Sequence, residues 1–127
     1  GYFVDIKTTA DIHKKFWSES RRVWTPFVEC FGYYEQMAVY KYLLEQKYQK
    51  TFTPYIIAVS KQTPCDIEAI EIREELLIVA LNGVKEKIER VMAVKNGEER
   101  PIMCGKCDYC RGHKSLRGFV SSEELID

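Results

Sequence analysis

No stretch of this chain stays apolar for the roughly 18 residues that a membrane span requires, and no secretory leader opens it. A cytoplasmic protein with no membrane partner is expected. Net charge is missing too: 19 Lys and Arg balance 19 Asp and Glu, so no global field draws in nucleic acid. Any polyanion has to be met by a local patch. Cysteine is scarce and odd in number, five in all, with three of them inside residues 104–110. That count argues against a secreted disulfide scaffold and for metal-ligand spacing. An initiator methionine is also lacking, and the chain opens inside a strand with nothing before it to pair that strand. It reads as the C-terminal portion of a longer protein, with Gly1 native or left by processing, and the missing N-terminal part as its first partner.

What is present has the size of one α/β or α+β domain: 127 residues, 46% of them hydrophobic. Residues 2–9, Tyr-Phe-Val-Asp-Ile-Lys-Thr-Thr, read as a β-strand rich in aromatic and β-branched side chains. Alternation places Asp5 and Lys7 on one face and Val4 and Ile6 on the other. A carboxylate beside an ammonium can hold a hard divalent cation and stabilise charge developing on a phosphoryl group. As a plain surface ion pair the two would contribute only about 0–1 kcal/mol.

Residues 10–17 pattern as a short helix with a threonine cap, an early acid and Ile12 four before Phe16, fraying by Arg22. Lys14, Lys15, Arg21 and Arg22, interleaved with Trp17 and Trp24, form the most basic part of the first half. Such a segment can track a DNA backbone and stack bases, or it can be a solvated face anchored by its tryptophans. Residues 28–48 read as one long helix, apolar around most of its circumference and so packed on both sides. Tyr33, Gln36 and Tyr40 share one narrow polar face of it, with Lys47 further along.

Residues 52–60 form an interior strand, and residues 65–72 pair with it as a hairpin in which Cys65 acts as a small core hydrophobe. The alternation slips at Ala69-Ile70, which marks either a bulge or the strand's end. Residues 73–95 are an amphipathic helix with Leu76, Ala80, Val84, Ile88 and Val91 on its apolar face, stopped at Asn96-Gly97. Beyond Pro101 the chain changes character: Cys104, Cys107 and Cys110 fall in a Cys-x2-Cys-x2-Cys run, three residues before His113. These thiols can converge on a four-iron iron–sulfur cluster or Zn2+, or remain free. Leu116, Phe119, Val120, Leu125 and Ile126 are apolar enough to dock.

The order Asp5-x-Lys7 on a strand, Gln36-x3-Tyr40 on a helix, then an apolar hairpin resembles the C-terminal part of the PD-(D/E)XK nucleases, closest to RecB-like and RecE-type phage or prophage exonucleases. The resemblance implies an α/β fold with a restriction-endonuclease-like core, a mixed sheet flanked by helices, N-terminally incomplete. Residues 1–100 would be the nuclease core and residues 101–127 a Cys-rich tail docking on it. It further implies that Asp5 binds Mg2+ or Mn2+ with the Ile6 carbonyl as a further ligand, that Lys7 positions water, and that Gln36 and Tyr40 orient Lys7 or the substrate. The substrate would be DNA, in a bacterial host or prophage setting, with a homo-oligomer as one possible assembly. Some RecB-like relatives bind a four-iron cluster through one early and three late cysteines. The fourth ligand to Cys104, Cys107 and Cys110 is open between Cys30, His113 and a cysteine before residue 1. A second metal-binding acid would also lie before residue 1. A non-catalytic, metal-stabilised DNA-binding or assembly module is the other candidate.

Overall fold

The computed structural model describes residues 1–125, which leaves Ile126 outside the described residues. Two compact units make up the chain, Gly1–Glu89 and Arg90–Asp127.

The first unit is built on a three-stranded mixed sheet in the order β1-β4-β5, from β1 (Tyr2–Thr9), β4 (Thr53–Ser60) and β5 (Ile67–Glu71). β1 runs parallel to β4, with Asp5 opposite Ile56 and Lys7 opposite Ala58, and β5 returns antiparallel beside β4. The β4–β5 register is unbroken from Tyr55–Glu71 to Val59–Ile67, so the slip in alternation at Ala69-Ile70 precedes the strand's end and makes no bulge. One face of β4 is fully buried at Pro54, Ile56, Ala58 and Ser60. Ile56 and Ala58 share one core cluster with Met37 and Ala38 of α2 (Tyr33–Tyr48), Phe27 and Val28 of α1 (Phe27–Cys30), and Leu77 of α3 (Glu74–Lys95). Lys41 of α2 donates to both carboxylate oxygens of Glu74 on α3 at 2.7 Å, tying the two helices at their rim. The result is a mixed α/β sheet with helices packed on it, as the restriction-endonuclease-like expectation requires.

Several local expectations are corrected. Residues 10–17 are not a helix. Asp11 Oδ1 accepts from the His13 backbone N–H at 2.9 Å, and this local turn competes with a helix start. The aromatic and β-branched residues that follow pair as an antiparallel hairpin, β2 (Lys15–Ser18) with β3 (Val23–Pro26), in which Trp17 lies opposite Trp24.

The expected helix over residues 28–48 is two helices, because Gly32 adopts φ 70° and the chain turns there. A side chain at that φ is strained, and the nearest atom an added Cβ would meet, Glu35 Oε2 at 3.6 Å, is at ordinary contact distance. Gly32→Ala should therefore lower stability by about 1–2 kcal/mol through backbone strain alone, measured by urea unfolding. An unchanged unfolding midpoint would contradict this.

α2 is also not packed on both sides: it buries Met37 and Ala38, while Tyr42, Leu43 and Tyr48 are exposed. Cys65 is exposed and not part of the core. On α3 the apolar stripe is covered only in its first half; Ile88 and Val91 are exposed. The helix ends where expected. Gly97, at φ 77°, donates to the Val94 carbonyl and Glu98 to that of Ala93, the paired bonds of a glycine-terminated helix.

In the second unit the described elements after α3 are α4 (Asp108–Gly112) and a short 3-10 turn at Ser122–Leu125. Leu116, Phe119, Val120 and Leu125, read from the sequence as a docking surface, are exposed. Among the described residues no helix is long and apolar enough to cross a membrane.

Candidate active site

β1 turns its polar residues inward. Tyr2, Val4 and Ile6 are exposed, whereas Phe3, Asp5 and Lys7 are partly covered and Thr9 is buried. The Lys7 side chain keeps only 15% of its surface exposed and that of Asp5 keeps 26%. These are not the freely solvated partners of a rim ion pair.

The Lys7 ammonium is held from three sides. Asp5 Oδ2 lies 2.8 Å away, Gln36 Oε1 accepts at 2.6 Å, and the Tyr33 ring lies beneath with its centroid at 4.3 Å. An ammonium only donates, so it fixes the Gln36 amide with its oxygen toward Lys7. The other end of that amide, Nε2, donates to the Tyr40 hydroxyl at 2.9 Å. Tyr33, Gln36 and Tyr40 sit three and four residues apart on α2, which is why a single helix face delivers all three. The Tyr40 ring in turn leans on Phe3 at 6.5 Å, two residues before Asp5 on β1. Lys47 does not join the group and lies over the Tyr48 ring.

One atom in this network is left short. Asp5 Oδ2 is buried, and its approach to Lys7 does not have the geometry of a hydrogen bond. A buried carboxylate oxygen with unused lone pairs suits a hard divalent cation.

The four basic residues marked in the sequence are placed differently from one another. Lys15 shares the outer face of the β2–β3 hairpin with Trp17 and Trp24, Lys14 lies near the Phe16 ring, and Arg22 sits at the turn with φ 54°. Arg21 is ion-paired with Glu29. Three ring contacts lead from the hairpin to the lysine: Phe16 to Phe31 at 5.2 Å, Phe31 to Tyr33 at 6.2 Å, and Tyr33 to Lys7. The sequence carried a signal for the two tryptophans but none for Phe31, an exposed aromatic hidden at a helix break.

In the second unit Cys104, Cys107 and Cys110 bring their sulfurs within 4.8 Å of one another. Gly105, at φ 75°, allows the turn that aims the backbone N–H groups of Lys106 and Cys107 at Cys104 Sγ, at 3.4 and 3.3 Å. Those two bonds, Lys106 first, lower the Cys104 pKa to about 7. At Cys110 a bond from the Gly105 backbone pulls the same way, but the Cys107 thiol, burial and the neighbouring Cys104 outweigh it and push the thiol up. His113 is not part of this cluster: its Nδ1 meets the Tyr109 carbonyl at 2.8 Å and its ring stacks on Tyr109. Cys30 donates to the Trp17 carbonyl at 3.5 Å.

A family model described as a PDDEXK-like domain of unknown function (DUF3799) matches residues 1–113. The chain belongs to this PDDEXK-like family. The crystal structure of a protein from Eubacterium rectale, described as a "putative exonuclease", superimposes with a TM-score of 0.85 and 33% identity over 98% of the chain. The match covers 47% of that protein, so this PDDEXK-like chain spans about half its length. No curated protein matches the chain. Fold and family together place the chain in the PD-(D/E)XK nuclease superfamily.

Proposed function

We propose that this chain carries part of the active site of a metal-dependent deoxyribonuclease, an exonuclease of phage recombination or DNA repair, that hydrolyses a DNA phosphodiester. The observation that carries the reading is the Lys7 ammonium, fixed between Asp5 and Gln36 beside a buried carboxylate oxygen with no hydrogen bond. Asp5 would hold Mg2+ or Mn2+, with the remaining ligands drawn from outside these residues and from the Ile6 carbonyl. Bound there, the cation supplies Lewis-acid polarisation of the scissile phosphate.

Lys7 donates a hydrogen bond to the attacking water or to a non-bridging oxygen of the phosphate as negative charge grows. Water forms the new P–O bond as the P–O bond to the leaving ester oxygen breaks; the attacking water gives a proton to solvent and the leaving oxygen takes one up from it. Gln36, locked by Tyr40, stops the flexible lysine stem from wandering, and Tyr33 shields it from below. Lys14, Lys15 and Arg22 meet DNA phosphates on the approach, with Arg21 available only if it leaves Glu29.

Cys104, Cys107 and Cys110 would hold Zn2+ or a four-iron cluster together with a fourth ligand, and the bound group would order the second unit. The sulfur-directed N–H groups and the depressed Cys104 pKa are what a thiolate-metal centre uses.

The test is digestion of linear DNA by the complete protein with and without Mg2+, against Asp5→Asn. The substitution should reduce nucleotide release by about 100-fold or more while circular dichroism stays unchanged. Undiminished digestion by Asp5→Asn would remove Asp5 from the mechanism. DNA binding without any hydrolysis by the wild type would favour the non-catalytic module.

A further inference from the structure

Tryptophan is highly buried on average, yet the β2–β3 hairpin displays two, Trp17 at 42% and Trp24 at 60% exposure. They are direct cross-strand partners, ring centroids 5.6 Å apart and edge to face. The edge-to-face contact holds the two rings against each other while a large part of each stays exposed. Alternation puts Lys15 on the same outer face and Arg22 sits at the hairpin's turn, against the single acid Glu19 on the hairpin, while Lys14 lies over the inner-face Phe16 ring. The inner face is anchored: Ser18 and Thr25 are buried and Phe16 packs on Phe31. The platform is therefore firmly mounted, and ring contacts from its underside reach Lys7.

We infer that the Trp17–Trp24 pair is a base-stacking platform that receives an unpaired DNA strand and steers it toward Lys7. Every base offers a π-face, whereas bases inside a duplex are already stacked on each other, so such a platform favours single-stranded DNA. The cations alongside match the phosphates between successive bases. The inference deepens the nuclease reading and rests on it for the strand's destination.

The experiment measures binding of a labelled oligo(dT) by fluorescence anisotropy, using the complete protein without divalent metal so that nothing is digested. Trp24→Leu, which keeps apolar bulk and loses the aromatic face, should weaken binding about 10- to 100-fold, and Trp17→Leu similarly. Trp24→Tyr should bind within a few-fold of wild type, and a blunt duplex should be little affected by any of the three.

Equal binding by Trp24→Leu overturns the platform. So does a variant that keeps oligo(dT) affinity and loses only self-association in sedimentation, which would make the pair a contact between copies of this chain. The two readings fail separately. A protein that binds oligo(dT) through Trp24 but never hydrolyses DNA defeats the nuclease, and an active one indifferent to Trp24→Leu defeats the platform. Should Trp24→Leu not fold, the ratio of single-strand to duplex affinity in Trp24→Tyr and Trp17→Tyr decides, with an unpreferred single strand in the wild type counting against the inference.

Discussion

Lys7→Ala in the complete protein should cut Mg2+-dependent digestion of linear DNA by about 10²- to 10³-fold, the cost of removing one preorganised charge from a phosphoryl-transfer site. The loss should fall on kcat and leave KM for DNA nearly unchanged, because the ammonium is held by Asp5 and Gln36 and matters most when charge builds on the phosphate. Secondary structure should persist, since the buried core cluster is built from other residues. Lys7→Arg should not rescue. A single ammonium fits between Asp5, Gln36 and the Tyr33 ring, and a planar guanidinium presents its donors in a different fork. Steady-state kinetics with both variants checks this, and wild-type turnover by Lys7→Ala would end the assignment.

The second large effect concerns the thiols. Metal-loaded protein should lose its ion on Cys110→Ser, with affinity falling by 100-fold or more, because a buried thiolate ligand has no substitute among the described residues. The pH dependence follows from protonation. Cys104, with its pKa lowered to about 7, is largely deprotonated above that value and then surrenders little free energy on binding. Below it a proton competes with the metal. Cys110, pushed up, must release a proton at neutral pH. Zinc affinity should therefore rise with pH and fall most steeply below about pH 7, where both thiols carry protons. Competition with a chromophoric chelator across that range measures it, and a flat profile would exclude the thiols as ligands. A brown protein with visible absorbance would identify an iron–sulfur cluster instead of zinc.

Much of this arrangement could be read from residues alone. The strand character of β1, the shared face of Tyr33, Gln36 and Tyr40, the β4–β5 hairpin and the glycine stop of α3 all rest on local periodicity or turn chemistry. Three things did not yield to it. The β2–β3 hairpin was masked by a threonine and an acid that serve equally as helix cap or turn. The kink at Gly32 lies inside an otherwise helical pattern, and only its positive φ reveals it. Alternation showed that Asp5 and Lys7 share a face, but not that this face is the covered one, because that depends on α2 arriving from 28 residues further along.

That inversion leaves β1 locally frustrated. Sliding it one residue along β4 would exchange Asp5 and Lys7 for Val4 and Ile6 on the covered face, a register that hydrophobic burial by itself would prefer. The observed register is pinned at both ends. The Gly1 carbonyl accepts from Thr53 N–H at 2.9 Å and the Thr9 carbonyl from Lys61 N–H at 2.8 Å, while Phe3 and Thr9 supply the inward-facing residues that tolerate burial. The strand thus trades folding preference for a charged interior, and the two hydrogen bonds at its ends act as detents that keep the chemistry from slipping out of frame.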